Sequence, residues 1–406
     1  MSSQTNSMYE SLGLRNSGID NPLTSNSVLH FNAETVRADA LGTRIVVHER
    51  YPELVQQFLK HKQAQGSNLE RGFYKGWTWQ QLVARFVERR PLMFMSANDY
   101  TLLQSGVSIN DGRKEWDRVG TDADPTNKYL HLNEYLSYDE IMLGSLLAVS
   151  STSDFINDGN RYNKGIPAKP GTFESRGIII GLVGARFERE DRMDSVHMLP
   201  SLPHPKQHKD LSEIFQQFFA GRAKSATDFD KEMYLGRIRI GIDILLLEAN
   251  KRAKADNKKA YVYIVGLGLG VWHYDSRQTE WYIDAWVQAI NTLSGRLTHI
   301  GTLEFAWISC PNGALKLKNS AADHLGIEVK FSKRSPAAKL AKSEADQILV
   351  LSYAWDANAF PGNEYWQGML SASGDPAAAC MSTISDLHNP LVNPGYLQRI
   401  EVLSSE

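Results

Sequence analysis

Four short apolar runs, separated by long helical patterns, constrain this chain more than any other feature. "GIIIGLVGARF" spans residues 177–187, "AYVYIVGLGLGVW" 260–272, "THIGTLEFAWI" 298–308 and "DQILVLSYAW" 346–355. Their apolar residues are contiguous rather than alternating, the pattern of strands buried on both faces. Between them, "DKEMYLGRIRIGIDILLLEANKRAKAD" reads as a long helix ending in basic residues, which suit the negative end of the helix dipole. "TEWYIDAWVQAINTL" places Ile283, Trp286, Val287, Ile290 and Leu293 on one helical face. Apolar strands alternating with helices imply an α/β sheet covered on both faces.

The first 150 residues read differently. Residues 1–28 are rich in Ser, Asn and Thr and are expected to be disordered or loosely draped. "YPELVQQFLKHKQ" and "TWQQLVARFVERR" have helical spacing, and "SYDEIMLGSLLAVSS" (137–151) adds a helix capped by Ser137. No linker follows, so residues 29–134 are expected to be a helical region packed on a core of residues 135–406. "DPAAACMSTISDL" predicts a short helix with Asp375 as N-cap and Pro376 at its first position.

Composition narrows the function. The net charge is −2 with no long basic run, which points away from nucleic acid and membrane surfaces. There is no apolar run of about 18 residues to form a spanning helix. The N-terminus lacks the apolar core of a secretory signal, so a cytoplasmic protein, or one exported by a route without such a signal, is expected. Cys310 and Cys380 form no metal or disulfide pattern. His197, His204 and His208 in "HMLPSLPHPKQHKD" have no helical ligand spacing and read as a solvated loop, not a metal site. Neither a Gly-x-Ser-x-Gly elbow nor a phosphate-binding P-loop is present.

Ligands of open α/β sheets bind at the carboxyl ends of strands, and three loops invite attention. In "GLGLGVW", Gly266, Gly268, Leu269, Gly270, Val271 and Trp272 follow a strand and precede a helix. Glycines there let backbone approach phosphate, and a helix N-terminus adds amide donors. The spacing is not Gly-x-Gly-x-x-Gly and no ribose-binding acid follows, which weakens a nicotinamide-dependent oxidoreductase reading. A tight turn without a ligand is the plain alternative. In "SYAWDANAFPGNEYW", Asp356, Asn358, Asn363 and Glu364 crowd between aromatics that include Phe360, with Pro361 and Gly362 bending the chain. Such groups could bond ribose hydroxyls and act as a base, or only satisfy their own turn. In "STSDFINDGNRYNKGIP", Asn157 and Arg161 could serve turn chemistry, or Arg161 could bind phosphate.

Together, "FINDGNRYN", "GLVGARFE", "GLGLGVW", "YAWDANAFPGNEYW" and "SGDPAAAC" resemble the MavL-type macrodomain family, related to poly(ADP-ribose) glycohydrolase, over roughly residues 135–395. The resemblance implies a three-layer α/β/α macrodomain-like mixed sheet with added helices. It implies ADP-ribose as ligand and its removal from arginine of a modified protein, with ubiquitin as a candidate target. "GARFE" is similar to the glycohydrolase Gly-Ala-Glu-Arg-Phe, with Arg186 and Glu188 in changed order. The glycohydrolase triple glycine and Gln-Glu-Glu are absent and the chain order is permuted, so cleavage of ribose–ribose polymer is not implied.

Carried onto this sequence, the resemblance implies that Gly266–Trp272 cradles the diphosphate. Trp272 or Phe360 would stack on adenine or shield the distal ribose. Asp356 and Glu364 would act at its anomeric carbon, Asn358 and Asn363 would hold hydroxyls, and Asp375 would support the loop. No metal or cofactor is implied. A non-catalytic ADP-ribose reader, the oxidoreductase and an interaction scaffold remain as alternatives.

Overall fold

The computed structural model describes residues 3–200, 206–225, 227–356, 358–371 and 373–404. Among the described residues eleven strands are formed: β1 (Arg44–His48), β2 (Met93–Met95), β3 (Tyr100–Leu102), β4 (Ser108–Ile109), β5 (Ala148–Asp154), β6 (Arg176–Leu182), β7 (Ala260–Ile264), β8 (Ile300–Ala306), β9 (Glu328–Ser332), β10 (Ile348–Ala354) and β11 (Ile400–Leu403). Eight of them make one mixed sheet in the order β11-β1-β5-β6-β10-β7-β8-β9, and β2, β3 and β4 make a small second sheet. From β6 to β9 every neighbouring pair is parallel, whereas β5 is antiparallel to both β1 and β6.

The four apolar runs are β6, β10, β7 and β8, adjacent in the sheet, so the α/β class follows as the sequence implies. All residues of β7 and β8 are buried. Side chains alternate between faces along a strand, and β5 shows what covers each face. Ser150 Oγ donates to Glu248 Oε1 at 2.7 Å, on the long helix Lys231–Ala255. Its neighbour Ser151 lies 2.8 Å from His388 Nε2, at the end of the helix Ile384–Leu387. The sheet is therefore covered by helical structure on both faces.

Several elements differ from the sequence reading. The helix opened by Ser137 stops at Gly144, and "AVSSTSD" becomes β5 instead of helix. Its serines mask a strand from any apolar pattern, yet they are buried because Glu248 and His388 bond them. The 29–134 stretch is not purely helical: it gives β1 to the main sheet and forms β2–β4. Residues from 3 to 28 are also structured. Ser3–Ser11 is helical, and Tyr9, Leu12, Leu14 and Val28 are buried with Leu387 and Val392. The polar side chains of this stretch bond the C-terminal segment: Asn26 Nδ2 donates to Ser382 O at 3.0 Å, and Asn21 Nδ2 to Asp386 Oδ1 at 3.4 Å.

Candidate active site

β6, β10 and β7 lie side by side and parallel, so the loops leaving Leu182, Ala354 and Ile264 emerge at one edge. The first and third of these loops touch across the second. A Cβ on Gly184 would lie 2.2 Å from Gly268 N, and one on Gly268 would lie 2.9 Å from Ala185 O. Gly268 also has φ +74°, so both glycines are required by backbone packing. Gly270 is exposed with open space around it, and Val271 is 90% exposed. The turn does not feed straight into a helix. The next helix starts at Gln278, whose Oε1 accepts from Tyr274 N and Asp275 N at 2.6 and 2.7 Å, inserting residues 273–277 between turn and helix.

The loop after β10 is tied down from two sides. Asn363 donates its side-chain amide to Asp356 Oδ2, and its Oδ1 accepts from Phe94 N at 3.0 Å. Gly362 (φ +104°) gives its N–H to Asp375 Oδ1 at 2.7 Å. Asp375 was expected to cap the helix that follows. That helix runs Gly374–Met381 with Ser373 at the N-cap, so Asp375 lies inside its first turn and its carboxylate serves the loop instead. Ser373 Oγ donates to Glu364 Oε1 at 3.4 Å. Three acids, Asp356, Glu364 and Asp375, thereby share one loop system.

The same loop leaves polar atoms unsatisfied. Glu364 Oε2, Asp375 Oδ2 and both side-chain polar atoms of Asn358 are buried without a hydrogen-bond partner. Buried polar groups are almost always paired, so this concentration marks a place suited to a polar ligand. Burial raises the carboxyl of Asp356 to about 7; Arg186 opposes this, and Glu364 and Glu188 add to it. Burial also raises Glu364, with Glu188 contributing. Asp375 is pushed well up by burial and then by Asp356 and Glu364. Burial first, and like charge second, thus push the carboxyls of this cluster upward.

Arg186 joins the two outer loops to this cluster. Its Nε donates to Glu188 Oε2 at 2.7 Å, and its guanidinium lies 5.3 Å from the Trp272 ring centre and 5.2 Å from that of Phe94. Arg189, three residues on, pins the loop through Asp99, Asp117 and Asp191 at 2.9, 3.0 and 3.1 Å.

The N-terminal region supplies a wall that sequence reasoning missed. Phe94 fixes Asn363, Pro91 O accepts from Phe360 N, and buried Arg90 lies 4.1 Å from the ring centre of Trp355. Arg90 and Phe94 carried no signal beyond an arginine ending an amphipathic helix and a short apolar run.

Other expected residues go elsewhere. Phe360 is fully buried with Leu92, Tyr365, Trp366 and Ala379, so it packs the loop, and Trp272 is the half-buried ring beside Arg186. Asn157 is spent on its own turn: Oδ1 accepts from Gly159 N at 2.9 Å and Nδ2 donates to Ile166 O at 3.1 Å. Because β5 is antiparallel to β6, with Asp154 opposite Arg176, this loop and its exposed Arg161 leave the sheet at the far edge. His61, His208 and Asp210 approach one another on and beside the helices Tyr51–Gln65 and Lys209–Ala220, and His204 lies outside the described residues. Cavities of about 400 Å³ around Arg50 and Arg239 and about 560 Å³ around Trp77 and Arg89 are also separate from the three loops.

Comparison with known proteins decides the lineage. The sequence matches the family described as ADP-ribosylhydrolase MavL-like over residues 17–202 and 202–403. The chain belongs to the MavL-like ADP-ribosylhydrolase family. It is 35% identical to the ADP-ribosylarginine hydrolase CG3568 of Drosophila melanogaster, over 90% of this chain and 78% of that protein. It is also 35% identical to the ADP-ribosylarginine hydrolase CG2909 of the same organism, over 86% of this chain and 76% of that protein. The family match takes in the N-terminal region as well as the sheet, in keeping with the wall that Arg90 and Phe94 build. Among the described residues of this family member, no helix is long and apolar enough to cross a membrane.

Proposed function

We propose that this protein removes ADP-ribose from arginine side chains of modified proteins. The observation that carries the reading is the meeting of Asp356, Glu364 and Asp375 beside a glycine turn and Arg186, with unpaired polar atoms among them. The family membership and the names of the two fly relatives support the linkage.

In this reading the exposed backbone around Gly270 receives the diphosphate, and Trp272 closes over the distal ribose. Asn358 bonds a ribose hydroxyl with its unpaired amide. Asp356, positioned by Asn363, and Glu364 flank the anomeric carbon. As the carbon–nitrogen bond lengthens, positive charge grows on the ribose and a carboxylate stabilises it. The other takes a proton from the attacking water. The guanidine leaves with the bonding electrons and is then protonated, so water is consumed and ADP-ribose and arginine are formed. Trp272 and the Phe94 wall exclude bulk water from the centre.

The test combines calorimetry with ADP-ribose and a linkage panel of arginine-, serine- and glutamate-modified proteins, ADP-ribosylated ubiquitin among the first. Release from the arginine substrates alone is expected. Binding of ADP-ribose without release from any of them would make the protein a reader.

A further inference from the structure

The edge of the sheet that carries the acids extends one strand past the glycine turn, and an unusual tryptophan stands there. Trp307 follows the last residue of β8 and is 63% exposed. Its φ is +60°, a region where a bulky residue is strained. Neither property is expected of a ring that serves the core.

The ring is held in place without a ligand. Its Nε1 donates to Arg334 O at 3.2 Å, and its backbone N–H donates to Ser332 O at 2.8 Å. Arg334 O also accepts from Tyr263 OH at 2.9 Å, and the Arg334 guanidinium pairs with Glu304 at 2.7 Å. The next residue, Ile308, borders the glycine turn: its Cγ1 would lie 3.4 Å from a Cβ on Gly266. A flat, immobilised aromatic surface thus adjoins the proposed diphosphate loop, on the side away from Asp356.

Neighbouring strands are spaced by about 4.8 Å, which puts the end of β8 about 10 Å along the edge from that of β10. In the order β10, β7, β8, the edge presents carboxylates, then glycine backbone, then an exposed indole. That sequence of chemistries fits the parts of ADP-ribose in turn: distal ribose, diphosphate, nucleobase. We infer that Trp307 is the stacking platform for the adenine of the ligand, so that substrate affinity is set two strands away from the bond that is cleaved. The inference rests on the ADP-ribose reading above. The strained backbone is then the means by which the ring is turned outward.

Binding of ADP-ribose and of ribose 5-phosphate, which lacks the adenosine, tests this in the full chain with Trp307→Ala, Trp307→Phe and Trp307→Gly. Base stacking on an aromatic makes a loss of about tenfold or more the expected effect of Trp307→Ala on ADP-ribose. Trp307→Phe retains most of the affinity, and ribose 5-phosphate binds all forms equally. Trp307→Gly relieves the backbone strain, so its melting temperature holds or rises while its affinity falls, a separation that a structural role would not give. Unchanged ADP-ribose affinity in Trp307→Ala, or equal losses for both ligands, would overturn the inference and leave the hydrolase reading standing. Failure of the unmodified protein to bind ADP-ribose would remove both.

Discussion

Asn363 is the link between Asp356 and the N-terminal wall: it donates to the carboxylate and is itself oriented by the backbone N–H of Phe94. Its own backbone has φ +36°, directly after Gly362 at φ +104°. The hydrogen bond from Asn363 pulls the Asp356 carboxyl downward against its burial. Replacing Asn363 by Ala therefore raises that pKa further. The expected result is a pH–rate profile whose alkaline-going rise moves to higher pH, together with a drop in kcat of about ten- to a hundredfold. A profile that keeps its position would separate Asn363 from the titrating group.

Stability should carry the mark of the same acids. Asp356 has a folded pKa raised to about 7, above the usual value of roughly 4 in an unfolded chain. A raised carboxyl favours the fold while protonated. Its contribution is complete below the unfolded pKa and is lost as pH rises through the folded one. Asp356→Asn removes that loss. Thermal melts at pH 5 and pH 8 should show the variant several degrees more stable at pH 8, with a smaller gap at pH 5. Asp375→Asn tests the shared charge from the other side, since its carboxyl is also raised.

The glycine turn makes a different forecast. Gly268→Ala meets backbone at 2.9 Å and sits at φ +74°, so it should lower the melting temperature by several degrees. Gly270→Ala meets nothing within 4 Å and should melt like the parent. If this turn takes the diphosphate, Gly270→Ala still weakens ADP-ribose binding, because the methyl group occupies the approach. Calorimetry and melting curves on the two variants check both statements.

Arg161→Ala is expected to leave kcat and KM within twofold of the parent, because its loop leaves the sheet at the edge opposite the acids. Steady-state kinetics on a modified protein decide it. A large rise in KM would show that the far edge takes part in substrate binding.

The sequence made the central sheet visible because β6, β7, β8 and β10 are dominated by apolar residues. β5 stayed hidden because serines stand on both of its buried faces, satisfied by partners 98 and 237 residues away in the chain. Asp356, Glu364, Asn363 and the glycine turn were legible for a related reason: polar residues bunched directly after an apolar strand. What the sequence could not display is direction. Only the antiparallel setting of β5 tells that the loop of Asn157 and Arg161 leaves the sheet at the edge opposite the end of β10. Phe360 looked like a ligand-stacking ring because aromatic composition does not distinguish a pocket from a packed loop. Arg90, Phe94 and Trp307 were missed because each acts through contacts made only in the folded chain.

The most direct test of the account is release of ADP-ribose from an arginine-modified protein under single-turnover conditions, comparing the parent with Asp356→Asn and Glu364→Gln. All three forms should bind free ADP-ribose, the parent should release the product, and each variant should be slower by about a hundredfold or more. Release at the parent rate by both variants would contradict the placement of the chemistry on these two carboxylates.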